Sequence, residues 1–487
     1  MSKFKKINTE QSLLFGFNVE DFISEKHLAR LIEEIVNTLD TSKIEEKYSE
    51  IGQNSYPPKI MISILFYGYS KGIFSSRKIE TSCKEVLPFM YLSKLFKPNF
   101  RTISDFRKNN IKELGDYFVE ILKYCNELGI TDVGKISIDG SKFRANASSK
   151  RTKTLEEYKK WEELLKSQIK ELTEKAENID AEENNKLSGE KDTIEKLIKS
   201  KINLKEKINQ AKKDLKRIKK ENEKLGIKKE PKLNLTDKDS KFMKQRNGVI
   251  KANYNAQIAV TDNNIIVSAE VTTEANDQNQ LKTMIETTEK NTGEKVKEAK
   301  LDSGYANYEN YKILKDKQID AYMPDKQFYN DEKNNNRQES QEKKYANRNF
   351  KYDKELNKYI CPEGKDLNFY RESKSKNQII LNYKCNACSN CPAKEKCCPK
   401  VKNKVIQRNE LKYLQDEMRE KLKTKEGKKI YLKRMNAAES PFGHLKINLG
   451  FRQFSLRTIE KVKSEWKLLC GAYNIMKIFN LKQALGT

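Results

Sequence analysis

Three acidic side chains occupy positions where a carboxylate could do chemistry. Asp139 lies inside the apolar run ISIDGS, Asp302 ends the apolar run AKLDSGY, and Glu439 lies in YLKRMNAAESPFGHLK. A charged group within an apolar strand is costly unless it is paired or binds a cation, although Asp before Gly is also an ordinary turn signal. Together, three carboxylates could hold Mg2+ or Mn2+ ions that activate water or a 3′-hydroxyl for attack on a phosphodiester.

Other groups near these acids are weaker candidates. Asp262 lies between two β-rich runs and is interpreted as a turn residue, whereas Asp277, in EANDQNQ, is predicted to cap or begin a helix. The chain has only two histidines, His27 and His444, so a histidine base could act at two positions only. No Ser-His-Asp spacing and no glycine-rich nucleotide loop supports another active site.

Cysteines form a second candidate site. The chain has nine cysteines, and six of them are clustered: Cys361, Cys385, Cys388, Cys391, Cys397 and Cys398. The tight pair Cys388 and Cys391, with Cys397 and Cys361, predicts a tetrahedral thiolate site for a structural Zn2+ ion. The two remaining clustered cysteines could replace one of these ligands. The alternative is a set of reduced thiols that hold no metal.

The overall charge favours a polyanionic partner. Across 487 residues, 97 Lys and Arg face 70 Asp and Glu, which leaves a formal net charge of +27. Nucleic acid is the commonest partner of such a basic chain, and the alternative is a lysine-rich surface without a specific partner. No run approaches the ~20 apolar residues of a membrane helix, and no secretory signal is evident. We therefore expect a cytoplasmic, nucleoid-associated protein without a membrane partner.

The elements that would position these residues follow an α/β pattern. Residues 1–130 show helical periodicity and form either a DNA-binding domain or a helical packing domain. Residues 131–150 and 231–324 alternate strands and helices, with a loop at Asp262-Asn263-Asn264 and a bulge suggested by Gly140. The polar segment 325–425 carries the cysteines, and helical character returns over 426–487, which carries the third acid.

Residues 151–230 interrupt this pattern with heptad repeats. Apolar residues recur seven apart at Leu197, Leu204, Ala211, Ile218 and Leu225, and upstream at Tyr158, Leu165 and Leu172. Such spacing is typical of a coiled coil. A polar stretch over residues 177–190 separates the two runs, so the pattern predicts an antiparallel helical hairpin rather than one long helix.

The chain resembles the DDE transposases of bacterial insertion sequences. The resemblance is to the superfamily with a Tyr-Arg-Glu-Lys signature, present here as Tyr431, Arg434, Glu439 and Lys446, and within it to the branch named insertion sequence eleven-eighty-two. The resembling blocks, which in order span most of the chain outside the heptads, are YPPKIMISILFYGYSKGIFSSRKIE, FRTISDFRK, ISIDGSKFRANAS, LTDKDSKFM, YNAQIAV, EANDQNQL, LDSGYAN, CPEGK with the later cysteines, and the Glu439 block.

The resemblance implies an RNase H-like catalytic domain with a mixed sheet, interrupted by the coiled-coil hairpin and by the cysteine-rich lobe. It implies that Asp139, Asp302 and Glu439 bind Mg2+ or Mn2+, and that Arg434 and Lys446, with Tyr431 nearby, contact DNA. The implied partners are the terminal inverted repeats and a target DNA, and we expect a homodimer on the DNA. The alternatives are a catalytically inactive DNA-binding derivative and an RNase H-like nuclease that cuts without joining.

Overall fold

A computed structural model of the chain describes residues 18–49, 54–131, 134–181, 188–245, 247–328, 344–375 and 378–485. Its first part is helical, as the periodicity predicts. The helices are α1 (Leu28–Thr38), α2 (Ser42–Glu45), α3 (Pro58–Ser70), α4 (Ser76–Glu85), α5 (Leu87–Leu92), α6 (Phe100–Asn109) and α7 (Ile111–Glu127). Helix α3 is apolar on nearly all sides and is buried almost completely, which is the expected placement for a helix without a polar face.

A mixed sheet follows the helices and is interrupted after its first strand by two long helices. In chain order the elements are β1 (Lys135–Arg144), β2 (Thr152–Lys153), α8 (Leu155–Ala181), α9 (Ser188–Lys224), β3 (Leu233–Asn234), β4 (Lys241–Lys244), β5 (Ile250–Thr261), β6 (Ile266–Thr272), α10 (Leu281–Thr292), β7 (Glu298–Leu301), α11 (Tyr308–Asp316) and β8 (Asp320–Tyr322). The strand order is β5-β1-β7-β8, with both β4 and β6 on the outer side of β5.

Strand β1 lies at the centre of this sheet. It pairs antiparallel with β5 and parallel with β7, and β7 pairs parallel with β8. The predicted loop at residues 262–264 does connect two antiparallel strands, β5 and β6, and Asn264 has the positive φ of 62° that such a turn requires. The bulge suggested by Gly140 is wrong, because β1 pairs with β5 without a register shift.

The segment with heptad repeats forms two helices that pack against each other. Glu162 on α8 pairs with Lys212 on α9, and Gln168 accepts a hydrogen bond from Lys201, so the helices run antiparallel. They share a small apolar core, made of Tyr158, Leu165, Ile208, Ala211, Leu215 and Leu233. The short β2–β3 pair closes the base of the hairpin. Part of the polar stretch between the helices lies outside the described residues.

The cysteine-rich segment contains an antiparallel sheet of five strands in the order β13-β12-β11-β10-β9. The strands are β9 (Lys351–Asp353), β10 (Lys358–Ile360), β11 (Asp366–Ser375), β12 (Gln378–Lys384) and β13 (Val405–Asn409), with the short helix α12 (Lys394–Cys397) between the last two. Its core is small and consists of a few aromatic and aliphatic side chains together with buried cysteines.

The remaining elements are helical. They are α13 (Lys412–Lys423), α14 (Lys425–Arg434), a π-helical turn at Met435–Glu439, α15 (Ser440–Gly443), a second π-helical turn at His444–Asn448, and α16 (Ile459–Leu485). Pro441 has no N–H for the bond to the carbonyl four residues before it, so the regular ladder cannot continue through this stretch. Wider π turns of this kind occur often at functional sites.

One continuous apolar core joins the first helices to the sheet. It extends from Val19 to Ile478 and includes side chains of α1, α3, α7, β1, β5, β6 and α16. Helix α16 is buried on several sides between α7 and β6. None of the described helices is long and apolar enough to cross a membrane.

Candidate active site

Asp139 lies near the middle of the central strand β1, with its side chain 16% exposed. Its Oδ1 accepts a hydrogen bond from the backbone N–H of Gly140 at 2.9 Å. The residue is not part of a turn, although Asp-Gly is a common turn signal, because both residues pair within the β1–β5 ladder. The apolar sequence around Asp139, ISIDGS, therefore reflects the position of this carboxylate within a sheet.

Asp302 follows the end of the neighbouring parallel strand β7. Ile138 pairs with Leu301, so the next residue on each strand is an aspartate, and the register brings Asp139 and Asp302 side by side. Asp302 is half-exposed and begins a short 3-10 turn, where its Oδ1 accepts a hydrogen bond from the N–H of Ser303 at 2.6 Å. The carboxyl edge of parallel strands is where α/β folds build their sites.

A buried arginine lies between these two carboxylates. Nη2 of Arg434 is 3.3 Å from Oδ1 of Asp139 and 4.0 Å from Oδ2 of Asp302. Arg434 ends α14, and its side chain is only 8% exposed. Its Nε atom is buried and has no hydrogen-bond partner among the described residues. The guanidinium is therefore held by charge at this edge of the sheet, with one donor still unsatisfied.

The electrostatics of Asp139 reflect both its burial and its neighbours. Burial raises the pKa of Asp139 to about 6, against the opposing effect of Arg434. Asp302 and Asp277 raise this pKa further because their negative charges disfavour a third one nearby. The site thus concentrates more negative charge than one guanidinium balances.

Glu439 and Tyr431 lie on the helical segment that carries Arg434. Glu439 ends the first π-helical turn, which packs against β1 and β5, and its side chain is exposed. Both residues act electrostatically on Arg434, whose pKa is lowered by burial but is raised above its ordinary value by Asp139 first, then by Tyr431, Asp302 and Glu439. Tyr431 also packs against a small apolar cluster.

Lys446 reaches the same strand as Asp139. Its Nζ lies 2.5 Å from Oγ of Ser141 and 3.1 Å from the carbonyl oxygen of Lys142, and it stands 4.4 Å above the ring of Phe143. Lys446 follows Glu439 by seven residues, a spacing that a regular α-helix would place on one face, but the two π-helical turns change that spacing. The ammonium group of Lys446 instead lies beside β1 at Ser141, which is two residues after Asp139.

The structure adds an acid that the sequence interpretation assigned elsewhere. Asp277 does not cap α10, because the N-cap is Gln280. Its Oδ1 accepts hydrogen bonds from Nδ2 of Asn255 and Nε2 of Gln257, both at 2.7 Å. Asp262, by contrast, is remote from this chemistry and pairs with the buried Lys300 at 2.7 Å.

Gln257 connects Asp277 to the turn that follows Asp302. Its Oε1 accepts a hydrogen bond from the hydroxyl of Tyr305, a fully buried side chain at the end of that turn. Burial raises the pKa of Tyr305 well above its ordinary value, and Asp277 and Asp139 raise it further, so the phenol stays protonated. Sequence reasoning did not single out either residue, because Gln257 comes to the site through the pairing of β1 with β5, and Tyr305 through the turn that follows β7.

The carboxylate oxygens at this site suit a hard divalent cation, although the described residues do not form a complete set of metal ligands. Among the described residues, no group of three His, Cys, Asp or Glu side chains is arranged to hold a metal ion. Asp139 and Asp302 nevertheless already share one cation, the guanidinium of Arg434, and offer only oxygen atoms. Carboxylate oxygens are the ligands that Mg2+ and Mn2+ prefer.

The clustered cysteines line one cavity of the small lobe, together with Phe350 and Leu367. Cys385, Cys388 and Cys398 are buried, whereas Cys361, Cys391 and Cys397 are partly exposed. The Sγ atoms of Cys361 and Cys388 accept backbone N–H bonds from Lys365 at 3.2 Å and Lys404 at 3.4 Å. Burial raises the pKa of Cys385 and of Cys397 to about 11, so both are thiols in the absence of a metal.

Two known protein families match this chain. The family described as "Transposase DDE domain" matches residues 360–479, a range that includes the cysteine cluster, Arg434, Glu439 and Lys446. The family described as "Transposase domain (DUF772)" matches residues 17–109, which form the first helices. Neither match reaches Asp139 or Asp302. No curated protein and no solved structure shows significant similarity to the chain.

Proposed function

We propose that the chain is a DDE transposase of an insertion sequence, as its two matches to transposase domains support, and that it binds the ends of its own element, cleaves them and joins them to a target DNA. The observation that carries this proposal is the pair Asp139 and Asp302, adjacent on neighbouring parallel strands, within β1 and just after the end of β7, with Arg434 between them. The branch named insertion sequence eleven-eighty-two remains a prediction.

We propose an RNase H-like fold for the domain that carries these aspartates. What supports it is the topology: three antiparallel strands, β6, β5 and β1, continue through the parallel strands β7 and β8, with one helix in each later connection. In this proposal residues 131–150 and 231–324 form the catalytic core, 426–487 complete it, and the hairpin 151–230 and the lobe 325–425 are insertions. Residues 1–130 would form the helical DNA-binding domain.

The proposed metal ligands are Asp139, Asp302 and Glu439. Bound Mg2+ or Mn2+ would activate a water molecule or a DNA 3′-hydroxyl for attack and would stabilise the leaving oxygen. The pairing of β1 with β7 holds Asp139 and Asp302 next to each other. Glu439 lies on the π-helical turn that packs on β1, where it can approach an ion that the other two residues hold.

Arg434 and Lys446 are proposed to contact DNA phosphates. Arg434 already brings a buried guanidinium to the two aspartates, and a phosphate at that position would satisfy its unpartnered Nε. Lys446 extends the positive charge along β1. Tyr431, which acts electrostatically on Arg434, is proposed as a neighbouring contact. The duplexes would be the terminal inverted repeats and the target, bound by a homodimer.

The test is a cleavage and strand-transfer assay with the full-length protein. A labelled duplex carries the inverted repeats that flank the gene, and a plasmid serves as target with Mg2+ or Mn2+. We expect cutting and joining by the wild type, and loss of both by Asp139→Asn, Asp302→Asn and Glu439→Gln with end binding retained. Glu274→Gln, which removes an exposed charge, should behave as the wild type.

The outcomes also separate the alternatives. A wild-type protein that binds ends and cuts nothing with either metal would identify an inactive derivative. Cutting without joining would identify a nuclease. Full activity of purified Glu439→Gln would remove Glu439 from the site, whatever the result for the two aspartates.

We propose a structural Zn2+ ion for the cysteine lobe, with Cys361, Cys388, Cys391 and Cys397 as ligands. The N–H bonds to Sγ of Cys361 and Cys388 support it, because such donors stabilise thiolates. Buried Cys385 and Cys398 compete for two of the ligand positions. Elemental analysis of untagged protein should find about one zinc per chain. No zinc, with six freely titratable thiols in the folded protein, would refute the site.

A further inference from the structure

A fourth carboxylate lies against the proposed metal centre and has no assigned role there. Asp277 belongs to the connection between β6 and α10 and is half-buried. Its Oδ1 is fixed by the side-chain amides of Asn255 and Gln257. Its Oδ2 accepts no hydrogen bond and meets no Lys or Arg side chain within the described parts of the chain. One oxygen is thus anchored and the other is available.

The position of this carboxylate is defined by two glycines. A Cβ atom on Gly140, the residue after Asp139, would lie 2.7 Å from Oδ1 of Asp277. A Cβ atom on Gly304, two residues after Asp302, would lie 3.2 Å from Oδ2. Asp277 therefore lies against the backbone that follows each aspartate, and side chains at either glycine would push it away.

An independent feature of this site, the environment of Arg434, favours a charged ligand. The guanidinium of Arg434 is more than nine-tenths buried, points between Asp139 and Asp302, and leaves Nε without a partner in the described structure. A buried donor without a partner is costly. A centre that exchanged this internal contact for metal ions and a phosphate would satisfy the arginine and the carboxylates together.

We propose that Asp277 is a further oxygen ligand of the divalent-metal centre, an inference that rests on the proposed transposase chemistry. Oδ2 is the ligating atom, and the amides of Asn255 and Gln257 hold Oδ1 from behind, as outer hydrogen bonds commonly orient metal-binding carboxylates. The residue adds negative charge close to Asp139, and the two groups that donate to its Oδ1 are neutral amides.

Binding of Mn2+ to the DNA-free, full-length protein tests this role without relying on catalysis. Electron paramagnetic resonance measures free Mn2+ during a titration of the wild type, Asp277→Asn and Glu274→Gln. Asp277→Asn keeps the shape and can still accept both amide hydrogen bonds at its oxygen. We expect its Mn2+ affinity to fall about tenfold or more. Glu274→Gln removes one charge from the same connection and should bind as the wild type.

Unchanged Mn2+ affinity of Asp277→Asn would overturn the proposal, even if DNA cleavage were lost, because cleavage alone could fall through a change in structure. If Asp277→Asn does not fold, iron-directed backbone cleavage of the wild type replaces it. Fe2+ with ascorbate should then cut next to residues 139, 277 and 302, and the absence of a cut near 277 would overturn the proposal.

The two proposals fail in different ways. Mn2+-dependent end cleavage by the wild type, with normal affinity in Asp277→Asn, rejects the role of Asp277 and keeps the transposase chemistry. Absence of both Mn2+ binding and cleavage in the wild type rejects both.

Discussion

Gly140 follows Asp139 on the central strand, and the space that its missing side chain leaves is filled by Gln257 and Asp277. A Cβ atom there would lie 2.2 Å from Nε2 of Gln257. Gln257 is fully buried and cannot move aside easily, because it donates to Asp277 and accepts from Tyr305. The residue next to the first acid must therefore be small for reasons of packing, not for a turn.

Gly140→Ala should consequently damage the site without changing any charge. We expect a loss of about 1–3 kcal/mol in the free energy of unfolding, since overpacking forces buried groups to shift. End cleavage should also fall, because the amide that anchors Asp277 is displaced. Urea denaturation and the cleavage assay measure the two effects.

Gly443→Ala is the matched control. This glycine lies in helical backbone, and a Cβ atom there meets nothing within 4 Å. Alanine in an open helical position should keep or slightly raise stability. If Gly140→Ala were as stable and active as this control, the close packing around residue 140 would be disproved.

At the scale of elements, periodicity predicted much of the architecture. Alternation of apolar and polar residues identified β1, and the β-rich runs on either side of residues 262–264 identified β5 and β6. Apolar spacing identified the first helices and the pair α8 and α9. The apolar context of Asp139 also pointed to a position within a strand, and that of Asp302 to the end of a strand. Asp277 was misassigned because its environment comes from β5, which lies outside its local sequence, 20 and 22 residues earlier at the two amides that it binds.

The direction of Lys446 is a second case that spacing could not predict. Helical spacing assumes a constant turn, and the π-helical turns on either side of α15 break that assumption. Pro441 indicates that the helix is irregular at this point. The directions in which the later side chains point are not determined by the local sequence. Such positions are best predicted only after the segment's tertiary contacts are known.

The hairpin of α8 and α9 should be removable without loss of the main fold. Its apolar side chains bury one another, apart from the main core, and Thr152 and Asn234 are paired partners at its base. Replacing residues 155–231 by a short Gly-Ser linker should give a folded protein. Transposition should be defective if the hairpin contacts DNA ends or a second protomer.

Circular dichroism, thermal denaturation and strand transfer measure these expectations. An insoluble or unfolded product would show that the hairpin supports the main core. Normal transposition by a folded product would show that the hairpin is dispensable for assembly on DNA.

At the scale of the whole molecule, a buried glutamate near the end of the chain interacts electrostatically with an arginine of the first helices. Glu465 on α16 is fully buried and accepts hydrogen bonds from the N–H groups of Ser455 at 3.0 Å and Leu456 at 2.9 Å. Burial raises its pKa, although these bonds and the charge of Arg107 on α6 oppose that rise. The folded protein therefore binds a proton at this residue more readily than the unfolded chain does.

This difference makes stability depend on pH. The contribution of Glu465 should be greatest below its unfolded pKa of about 4.3 and should be lost as pH rises through the higher folded value. Glu465→Gln can keep both backbone hydrogen bonds on its oxygen and cannot titrate. We expect this variant to gain stability over the wild type as pH rises from about 5 to 7.5.

Urea denaturation of both proteins at the two pH values measures the effect. The difference in free energy of unfolding between variant and wild type should grow with pH. A constant difference would show that Glu465 has the same pKa in the folded and unfolded states.

The packing of α16 also has a consequence for biosynthesis. The ribosome makes α3 and α7 long before it makes α16, yet Gly115 of α7 lies directly against Ser464, and Phe66 and Ile121 pack against Gly471. The early helices thus leave the ribosome with an apolar face that they cannot yet cover. A message truncated before residue 459 would yield a chain with that face open to chaperones and proteases, so that only completed translation delivers the covered fold.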